Sequence, residues 1–472
     1  MRIVLIGNGI LSLMTGLRLV QRNNQSEIVI IGPSNREGCA TLAAPAMLNS
    51  YAELIKRSLA NDIDRKKFKI SRLARYKWGT LFDDLEEFDV SKPSVKFGTY
   101  ILNNTTTDHF DDININAIKD YLDEYEEKYE FVDPSKIPGY EPSAQQRALR
   151  ALYIPGEGFV NSEQVLFYLE DYLKNKGVTF IDDKVQKILE VKNKITSVEL
   201  DTLKEQIIGD QFILAPGANF SQIIEASNLS IGFQKILYGS GISVELKPNK
   251  KTLENCVRTP NRGFACGVYS APRTEETIIV GASNHVATFP LYQGMTESIS
   301  NLLTSSMEQI NSSLFSSGFV GTKIGWRPTS VDTYPLIGKT SISNLIVATG
   351  TKRDGFHMSP VISEYLTTLC FEEEYEYNDL FLPFYPEREV IRNISREKAI
   401  DDIVNHEINA YYQHGFVPDR GSMLDQHREM LRREAIEVHD RLGLKKWGIP
   451  PELYPIFRGG HENLLGEDLF QD

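Results

Sequence analysis

Two short apolar segments at the start of the chain flank a glycine-containing turn and a helical pattern. Residues 2–6 read RIVLI and residues 28–31 read IVII. Short apolar runs rich in β-branched residues are typical of buried parallel strands. Between them, residues 10–22 place apolar side chains at roughly helical spacing. The first 33 residues therefore predict a β–α–β unit whose first strand ends at a tight glycine turn.

The remainder of the chain alternates the same two patterns. Helical spacing and charge predict helices over 50–90, 113–130, 163–176, 292–312 and 357–370. Apolar and alternating runs predict strands over 95–104, 178–181, 236–246, 264–283 and 345–349, with a small β-meander over 188–214. Residues 389–472 are charged, helical and bounded by prolines, which indicates an added unit.

Composition and charge narrow the classes of protein. The 472 residues are 41% hydrophobic and 24% charged, and the formal net charge is −13. No apolar run approaches the ~18 residues of a membrane span. A strongly acidic surface repels phosphate backbones, so no nucleic acid is expected as a partner, and the lack of a long apolar run means that no membrane is expected either. Gly7 and Gly9 interrupt the first apolar run too early for a secretory signal.

The four cysteines indicate the compartment and argue against a metal site. Cys39, Cys256, Cys266 and Cys370 form no CxxC pair. This spacing predicts neither a disulfide framework nor a structural zinc site, and no metal is expected. The pattern favours a reducing, cytoplasmic location.

A glycine motif follows the first predicted strand directly. Gly7, Gly9 and Ser12 form a GxGxxG-like hexapeptide with serine in the third place, and Gly16 follows. Such a turn lets a pyrophosphate approach the backbone at a helix N-terminus, and small residues on the helix permit close packing on the strand. The acidic residue that usually binds the ribose at the end of the second strand is replaced by Gly32, with Ser34 or Asn35 as neutral substitutes.

Three further segments carry candidate chemistry. Residues 38–48, GCATLAAPAML, let the main chain lie against a flat cofactor. Residues 325–338 read GWRPTSVDTYPLIG, and residues 350–356 read GTKRDGF after a predicted strand. These last two segments contain Arg327 and Arg353, and a guanidinium can hold a carboxylate by two parallel hydrogen bonds.

Together these segments resemble the D-amino acid oxidase family of FAD enzymes, and most of all its glycine oxidase branch. The resemblance covers residues 1–388 and includes PGEGFV at 155–160 and LAPGA at 214–218. It implies an α/β fold with a Rossmann-type FAD-binding domain and a mixed-sheet substrate domain. The implied boundaries are 1–75, 145–225 and 320–388 for the FAD-binding domain, 76–144 and 226–319 for the substrate-binding domain, and 389–472 for a helical C-terminal extension.

The resemblance also implies an activity. Family members oxidise the C–N bond of a carboxylate-bearing amine by hydride transfer to flavin N5, which gives an imine, and O2 is then reduced to H2O2. The expected partner is a small amino or imino acid. No cysteine lies within 327–338, so the FAD is expected to be non-covalent, and the strand at 278–283 lacks the lysine of the sarcosine oxidase branch.

The residue roles implied by the resemblance divide into two sets. Substrate contacts fall on Arg327, Arg353 and Tyr269. Cofactor contacts fall on Gly7, Gly9, Ile10, Ser12, Gly16, Ser34, Thr41, Ala46, Met47, Leu48, Val185, Ala215, Gly217, Gly350, Arg353, Asp354, Gly355 and Phe356.

The arginine loop departs from the family pattern GHxRNG. Thr351 and Asp354 replace its histidine and asparagine. Asp354 is therefore predicted to pair with Arg353 and partly neutralise it. Alternatively, Arg327 is a structural residue that pairs with Asp332.

Several alternatives remain open at this level. His285 and His357 are candidates for the pocket wall, although packed or solvated histidines are favoured. The extension either covers the substrate mouth or binds a second subunit, and its four histidines, at 406, 414, 427 and 439, are expected on charged helical surface. The protein is alternatively a pathway-specific tailoring enzyme for a larger amino or imino acid, or a FAD-holding electron-transfer or assembly subunit.

Overall fold

The computed structural model describes most of the chain as mixed α/β structure. The described residues are 1–22, 25–83, 85, 90–104, 107, 109–250, 253–262, 267–413 and 422–461. Some predicted features lie outside these ranges: residues 84 and 86–89 of the predicted helix 50–90, residues 264–266 of the predicted strand 264–283 (Cys266 among them), and residues 414–421 (His414 among them) and 462–472 of the extension.

Nineteen strands occur in the part of the chain that the structure describes. They are β1 Arg2–Ile6, β2 Glu27–Ile31, β3 Met47–Leu48, β4 Lys96–Asn104, β5 Glu130–Val132, β6 Ala148–Phe159, β7 Thr179–Ile181, β8 Val185–Glu190, β9 Ile195–Leu200, β10 Gln206–Ile208, β11 Gln211–Leu214, β12 Ile236–Lys247, β13 Cys256–Arg258, β14 Tyr269–Pro272, β15 Ile278–Gly281, β16 His285–Ala287, β17 Gly318–Ser330, β18 Leu336–Lys339 and β19 Leu345–Thr349.

Twelve α-helices occur in the same described ranges. They are α1 Ile10–Gln21, α2 Ala40–Ala43, α3 Asp62–Trp78, α4 Phe110–Glu124, α5 Ser162–Asn175, α6 Phe220–Ala226, α7 Thr296–Gln309, α8 Gly355–Cys370, α9 Asn378–Phe381, α10 Arg396–Gln413, α11 Ser422–Arg441 and α12 Tyr454–Arg458.

The first sheet is the doubly wound core that the N-terminal pattern predicts. Its strand order is β18-β19-β11-β1-β2-β7, and all neighbours except β18 and β19 pair in parallel. Four residues of β1, Ile3 to Ile6, are buried, because helices α1 and α8 cover one face and a second apolar cluster covers the other. The carboxyl ends of β1, β2, β11 and β19 therefore open at one edge, where ligands bind in such sheets.

The second sheet is mixed and much larger. It runs β16-β12-β15-β14-β13-β4-β6-β3, with β17 paired along the other side of β12. The long antiparallel pair β12 and β17 lies at one edge of this sheet and aligns Arg327 with Gly239. This register decides which side chains of the two strands share a face.

Four boundaries differ from the sequence predictions. Within the described part of 50–90, α3 is the α-helix, because the amides of residues 50–52 bond instead to the buried Glu157 carboxylate. The predicted helix 113–130 ends at Glu124 and is followed by β5. The predicted strand 264–283 contains two antiparallel strands, β14 and β15. In the predicted meander, β8, β9 and β10 form a separate sheet, whereas β11 joins the parallel sheet.

The C-terminal extension packs on its own chain. Ile400, Ile403 and Phe457 share an apolar cluster with Leu237 of β12 and Val286 of β16. Polar contacts hold the residue before the extension and the end of α10, since Arg388 pairs with Asp332 and the Gln413 carbonyl accepts the Ser305 hydroxyl at 2.8 Å. The three-part division into domains stays a prediction.

The expectation that the extension's histidines lie on charged helical surface is wrong for His439. It is fully buried, its Nδ1 lies 2.7 Å from the Ala435 carbonyl, and its Nε2 accepts the Ile449 amide. The helix presents this side to the apolar cluster, and the two backbone contacts satisfy the ring. Among the described helices, none combines the length and apolar character needed to cross a membrane.

Candidate active site

A cavity of about 540 Å³ lies between the open edge of the parallel sheet and one face of the second sheet. Lys184 and Asp201 line it, as do Arg353 and His357. Its wall also follows the turns after β1, β2, β11 and β19. A cavity at this edge has the position expected for a dinucleotide.

The turn after β1 is built to keep the N-terminus of α1 accessible. Gly7 has φ +108, and a Cβ there would lie 2.3 Å from the Ala215 carbonyl oxygen. A Cβ on Gly9, the residue before α1, would meet no atom within 4 Å. The turn therefore needs Gly7 for its backbone, whereas Gly9 leaves space in which a phosphate reaches the helix amides.

The absence of an acid at the end of β2 has a steric cause. A Cβ on Gly32 would lie 2.5 Å from Cγ of Asn8, whose Nδ2 donates to the Pro33 carbonyl at 2.8 Å. Ser34 does not line the cavity, because its amide and hydroxyl both donate to Asp182 at 2.7 Å. Glu37, which sequence reasoning missed, lines the cavity five residues after Gly32.

The predicted cofactor residues fall into two groups. Those that line the cavity are Gly7, Gly9, Ile10, Thr41, Ala46, Met47, Val185, Ala215, Gly217, Arg353, Asp354, Gly355 and Phe356. Those that do not are Ser12, Gly16, Ser34, Leu48 and Gly350. Gly16 faces Leu173 and Ile30 and permits close helix packing, Ser12 and Leu48 are fully buried, and Gly350 supplies a turn with φ +69.

Glycines on the second sheet make a flat floor beneath Arg327. Arg327 and Gly239 are paired, and Gly241 lies two residues further along the same face of β12. A Cβ on Gly241 would lie 2.3 Å from the guanidinium carbon of Arg327. The guanidinium therefore lies across the backbone of β12, in a place that any side chain at 241 would occupy.

The contacts of Arg327 leave part of its guanidinium toward the cavity. Nη1 donates to the Ser283 carbonyl at 3.0 Å and to Oδ1 of Asn284 at 3.1 Å. Among the described residues Nη2 has no protein partner, and Arg327 lines the cavity. The alternative of a tie to Asp332 is wrong, because Arg388 takes that carboxylate.

Tyr269 lies on the same face as Arg327. It is paired with Gly281 of β15 on one side and with Arg258 of β13 on the other. A Cβ on Gly281 would lie 2.2 Å from the Tyr269 hydroxyl, so the ring lies across that glycine and borders the cavity. The structure therefore brings the predicted substrate residues Arg327 and Tyr269 to one surface.

Arg353 has a different environment from the one predicted. Asp354 pairs with Lys67 at 2.6 Å, so the expected pair with Arg353 is not the principal contact of that carboxylate. Burial opposes ionisation of Asp354, but the Lys67 ammonium outweighs it and lowers the pKa to about 2. The carboxylate near Arg353 is instead Glu53, with 4.0 Å between Nη1 and Oε2.

The extension reaches this loop through a buried ion pair. Glu452 lies 2.8 Å from the ammonium of Lys352, the residue before Arg353, and both side chains are mostly buried. Burial lowers the pKa of Lys352, and Glu452 partly opposes that shift. No residue of the extension lines the cavity within the described ranges, so the extension supports the arginine loop from behind.

The two candidate histidines differ in position. His357 lines the cavity and is buried, with Nε2 at 2.9 Å from the Ser71 carbonyl. Burial lowers its pKa to about 4, which keeps the ring neutral near neutral pH. His285 does not line the cavity, and burial lowers its pKa as well.

A segment that sequence reasoning did not single out contributes two cavity residues, Asn49 and Glu53. The buried Glu157 carboxylate accepts the amides of Ser50, Tyr51 and Ala52, which fixes the backbone between them. The only signal in the sequence was Glu157 within PGEGFV, whose partners are distant in the chain. In the described residues, no group of three or more histidine, cysteine or acidic side chains is placed to hold a metal ion.

Comparison with known proteins identifies a family, and a glycine oxidase and an iminodiacetate oxidase are among the structural neighbours. A family model described as FAD dependent oxidoreductase (DAO) matches residues 2–369. A solved glycine oxidase from Geobacillus kaustophilus has a TM-score of 0.70 at 18% identity and covers 83% of this chain and all of its own. Iminodiacetate oxidase from Chelativorans sp. BNC1 has a TM-score of 0.69 at 18% identity, with 82% and 99% covered. At this identity the neighbours show the fold alone.

Two curated relatives are each named bifunctional protein ThiO/ThiG. The one from Nostoc sp. is 22% identical over 373 residues, which are 79% of this chain and 53% of the relative. The one from Synechocystis sp. is 20% identical over 388 residues, which are 82% of this chain and 54% of the relative. The chain thus spans about half the length of these relatives.

Proposed function

The chain belongs to the family of FAD-dependent oxidoreductases, and we propose that it oxidises the C–N bond of a carboxylate-bearing amine to an imine. The observation that carries the proposal is the Arg327 guanidinium on its glycine floor, half-buried and with Nη2 directed to no protein acceptor among the described residues. A carboxylate would complete its hydrogen bonds and fix the substrate's orientation. The oxidases among the structural neighbours support an amine substrate.

The residues of the cavity fit FAD. Cβ atoms on Gly9 and Gly217 would project into open space, so both positions leave a path along which a pyrophosphate meets main-chain amides. Glu37 would supply the carboxylate for the ribose hydroxyls that the end of β2 lacks. The chemistry that FAD supplies when bound is acceptance of a hydride from the carbon beside the nitrogen.

The protein's own residues would then bind and orient the substrate. Arg327 would hold the carboxylate. Tyr269, on β14 beside β15, would form the edge of the same surface. His357, neutral and hydrogen-bonded to Ser71, would form an uncharged wall rather than a proton donor. No acid or base side chain is required if the amine arrives unprotonated, so orientation supplies most of the catalysis.

The test is anaerobic reduction of the flavin followed by admission of air. The purified protein is expected to show a flavin spectrum, to bleach with a carboxylate-bearing amine, and to recover its colour in air with release of H2O2. A protein that binds no FAD on reconstitution contradicts the proposal. If the flavin bleaches but does not recover its colour in air, the proposed amine oxidation stands and the electron acceptor is a compound other than O2.

The second candidate is oxidation of a larger, pathway-specific amino or imino acid. It is favoured by the second polar region of the cavity at Arg353 and Glu53. The support that the extension gives to Lys352 favours it too, because it stabilises the loop at that end. A panel of small amines tests it, since glycine, sarcosine and D-alanine would then all be poor substrates.

A further inference from the structure

The cavity has two polar regions on one face of the second sheet. At the first, the Arg327 guanidinium lies over Gly241 of β12. At the second, Arg258 of β13 holds the carboxylate of Glu53. Strands β15 and β14 lie between, so the two regions are three strand spacings apart, roughly 14 Å between strand axes. A glycine-sized molecule is too short to contact both.

Glu53 is fixed as an anion facing the cavity. Its carboxylate accepts hydrogen bonds from Arg258 Nη1 and, at 3.2 Å, from Asn261 Nδ2, while Arg353 lies 4.0 Å away. Burial would raise the pKa of Glu53, but the guanidiniums of Arg258 and Arg353 outweigh burial and hold the pKa below its ordinary value. Arg258 is itself fully buried, so the carboxylate has a defined direction.

Asn49 provides an independent observation at the same region. It is 4% exposed and lines the cavity, and its Oδ1 accepts the Thr99 hydroxyl at 3.3 Å. Its Nδ2 is buried and has no partner among the described residues. Buried donors in folded proteins are normally satisfied, so this one awaits an acceptor atom of a ligand. Glu157 fixes the backbone that joins Asn49 to Glu53.

We propose that Glu53 and Asn49 form a second substrate subsite, and that the substrate is an elongated amino or imino acid whose tail carries N–H donors. The carboxylate end binds Arg327, the N–H group of the tail donates to Glu53, and an acceptor atom near the tail receives the Asn49 amide. A second carboxylate in the tail has no N–H group to donate to Glu53. The inference rests on the proposed function, because it assigns the other end of the same substrate.

The wild-type protein tests the inference directly. Anaerobic flavin bleaching is measured with both enantiomers of lysine, arginine and glutamine, and with norleucine, 2-aminoadipate and glycine as comparators. The rate of reduction divided by the dissociation constant is expected to be at least tenfold higher for an N–H tail than for the apolar or acidic tail of similar length. Equal bleaching by norleucine or 2-aminoadipate overturns the subsite and leaves the proposed function standing. A protein without flavin, or one that no amine bleaches, overturns both.

Variants separate recognition by charge from loss of packing. Glu53→Gln is expected to remove the preference for lysine over norleucine and to improve 2-aminoadipate. Asp111→Asn is the matched control, because Asp111 pairs with a fully buried Arg262 away from the cavity lining; it is expected to keep the preference. If Glu53→Gln does not fold, Asn49→Ala leaves all ion pairs in place and is expected to weaken glutamine binding about tenfold. A preference unchanged in both Glu53→Gln and Asn49→Ala contradicts the subsite.

Discussion

Arg327 and Arg353 line the same cavity, yet their surroundings differ in kind. Arg327 lies on bare backbone, between a carbonyl and a neutral amide oxygen. Arg353 lies among charges, with Glu53 at 4.0 Å and the Lys352–Glu452 pair on the neighbouring residue. The Arg327 guanidinium is therefore available to bind an anion, whereas Glu53 partly neutralises the positive charge of Arg353 before any ligand binds.

The difference teaches that an arginine's role depends on its counter-charges. A guanidinium whose donors lack acceptors gains most from a carboxylate, because charge-assisted hydrogen bonds are the strong ones. One beside a fixed carboxylate gains less from a second anion. We therefore expect the two positions to differ in how strongly they act on an anionic substrate.

The substitution Arg327→Ala is expected to have the largest effect on catalysis. Losing two charge-assisted hydrogen bonds of about 2 kcal/mol each lowers kcat/KM about 10³-fold. Arg353→Ala, measured in parallel, is expected to cost about tenfold, because Glu53 already offsets that charge. Flavin content, read from the visible spectrum, should change little in Arg327→Ala. An unchanged KM in Arg327→Ala, or equal losses in the two variants, would contradict the comparison.

The next effect concerns the charges behind Arg353. Glu452→Gln leaves the buried Lys352 ammonium without its partner, and breaking one side of a buried pair costs about 3 kcal/mol. The midpoint of urea unfolding measures this loss. Asp440→Asn is the control, since Asp440 pairs with Arg396 from a mostly exposed position and should cost less than about 1 kcal/mol. Similar midpoints for the two variants would show that the extension does not support the loop.

The smallest effect is a pH dependence of the free energy of unfolding that arises from His357, which lies near Arg353 in the cavity wall. The pKa of His357 is lowered by burial to about 4, so the unfolded chain binds more protons than the folded one between that value and about 6.5. The stability this residue contributes is therefore full above pH 6.5 and falls by about 2 kcal/mol by pH 5. Burial also lowers the pKa values of His285, His406 and His439, so part of the slope comes from those residues. Urea midpoints from pH 7 to pH 5 measure the slope, and His357→Gln should reduce it. A slope that His357→Gln leaves unchanged contradicts the contribution of His357.

Much of the fold was predictable because its signals are local. The β–α–β unit, the long strand β12 and the helix after residue 350 were each predicted within a few residues, since apolar periodicity and glycine turns report on neighbouring residues. The helix predicted over 50–90 was wrong in its first part, because the amides of 50–52 bond to Glu157, about a hundred residues away. Arg327 and Tyr269 were predicted from the family resemblance, whereas Asn49 and Glu53 carry no pattern of their own.

The sequence by itself determined the family, the glycine turn after the first strand and the identity of the two arginines. Only the tertiary structure decided which charged residue lies beside each arginine. Asp354 pairs with Lys67 and Asp332 pairs with Arg388, so neither binds its predicted arginine. Glu53 instead lies beside Arg353. The reason is that ion pairs form between residues brought together by sheet register and helix packing. Spacing along the chain says nothing about these partners, which are between 56 and 300 residues apart.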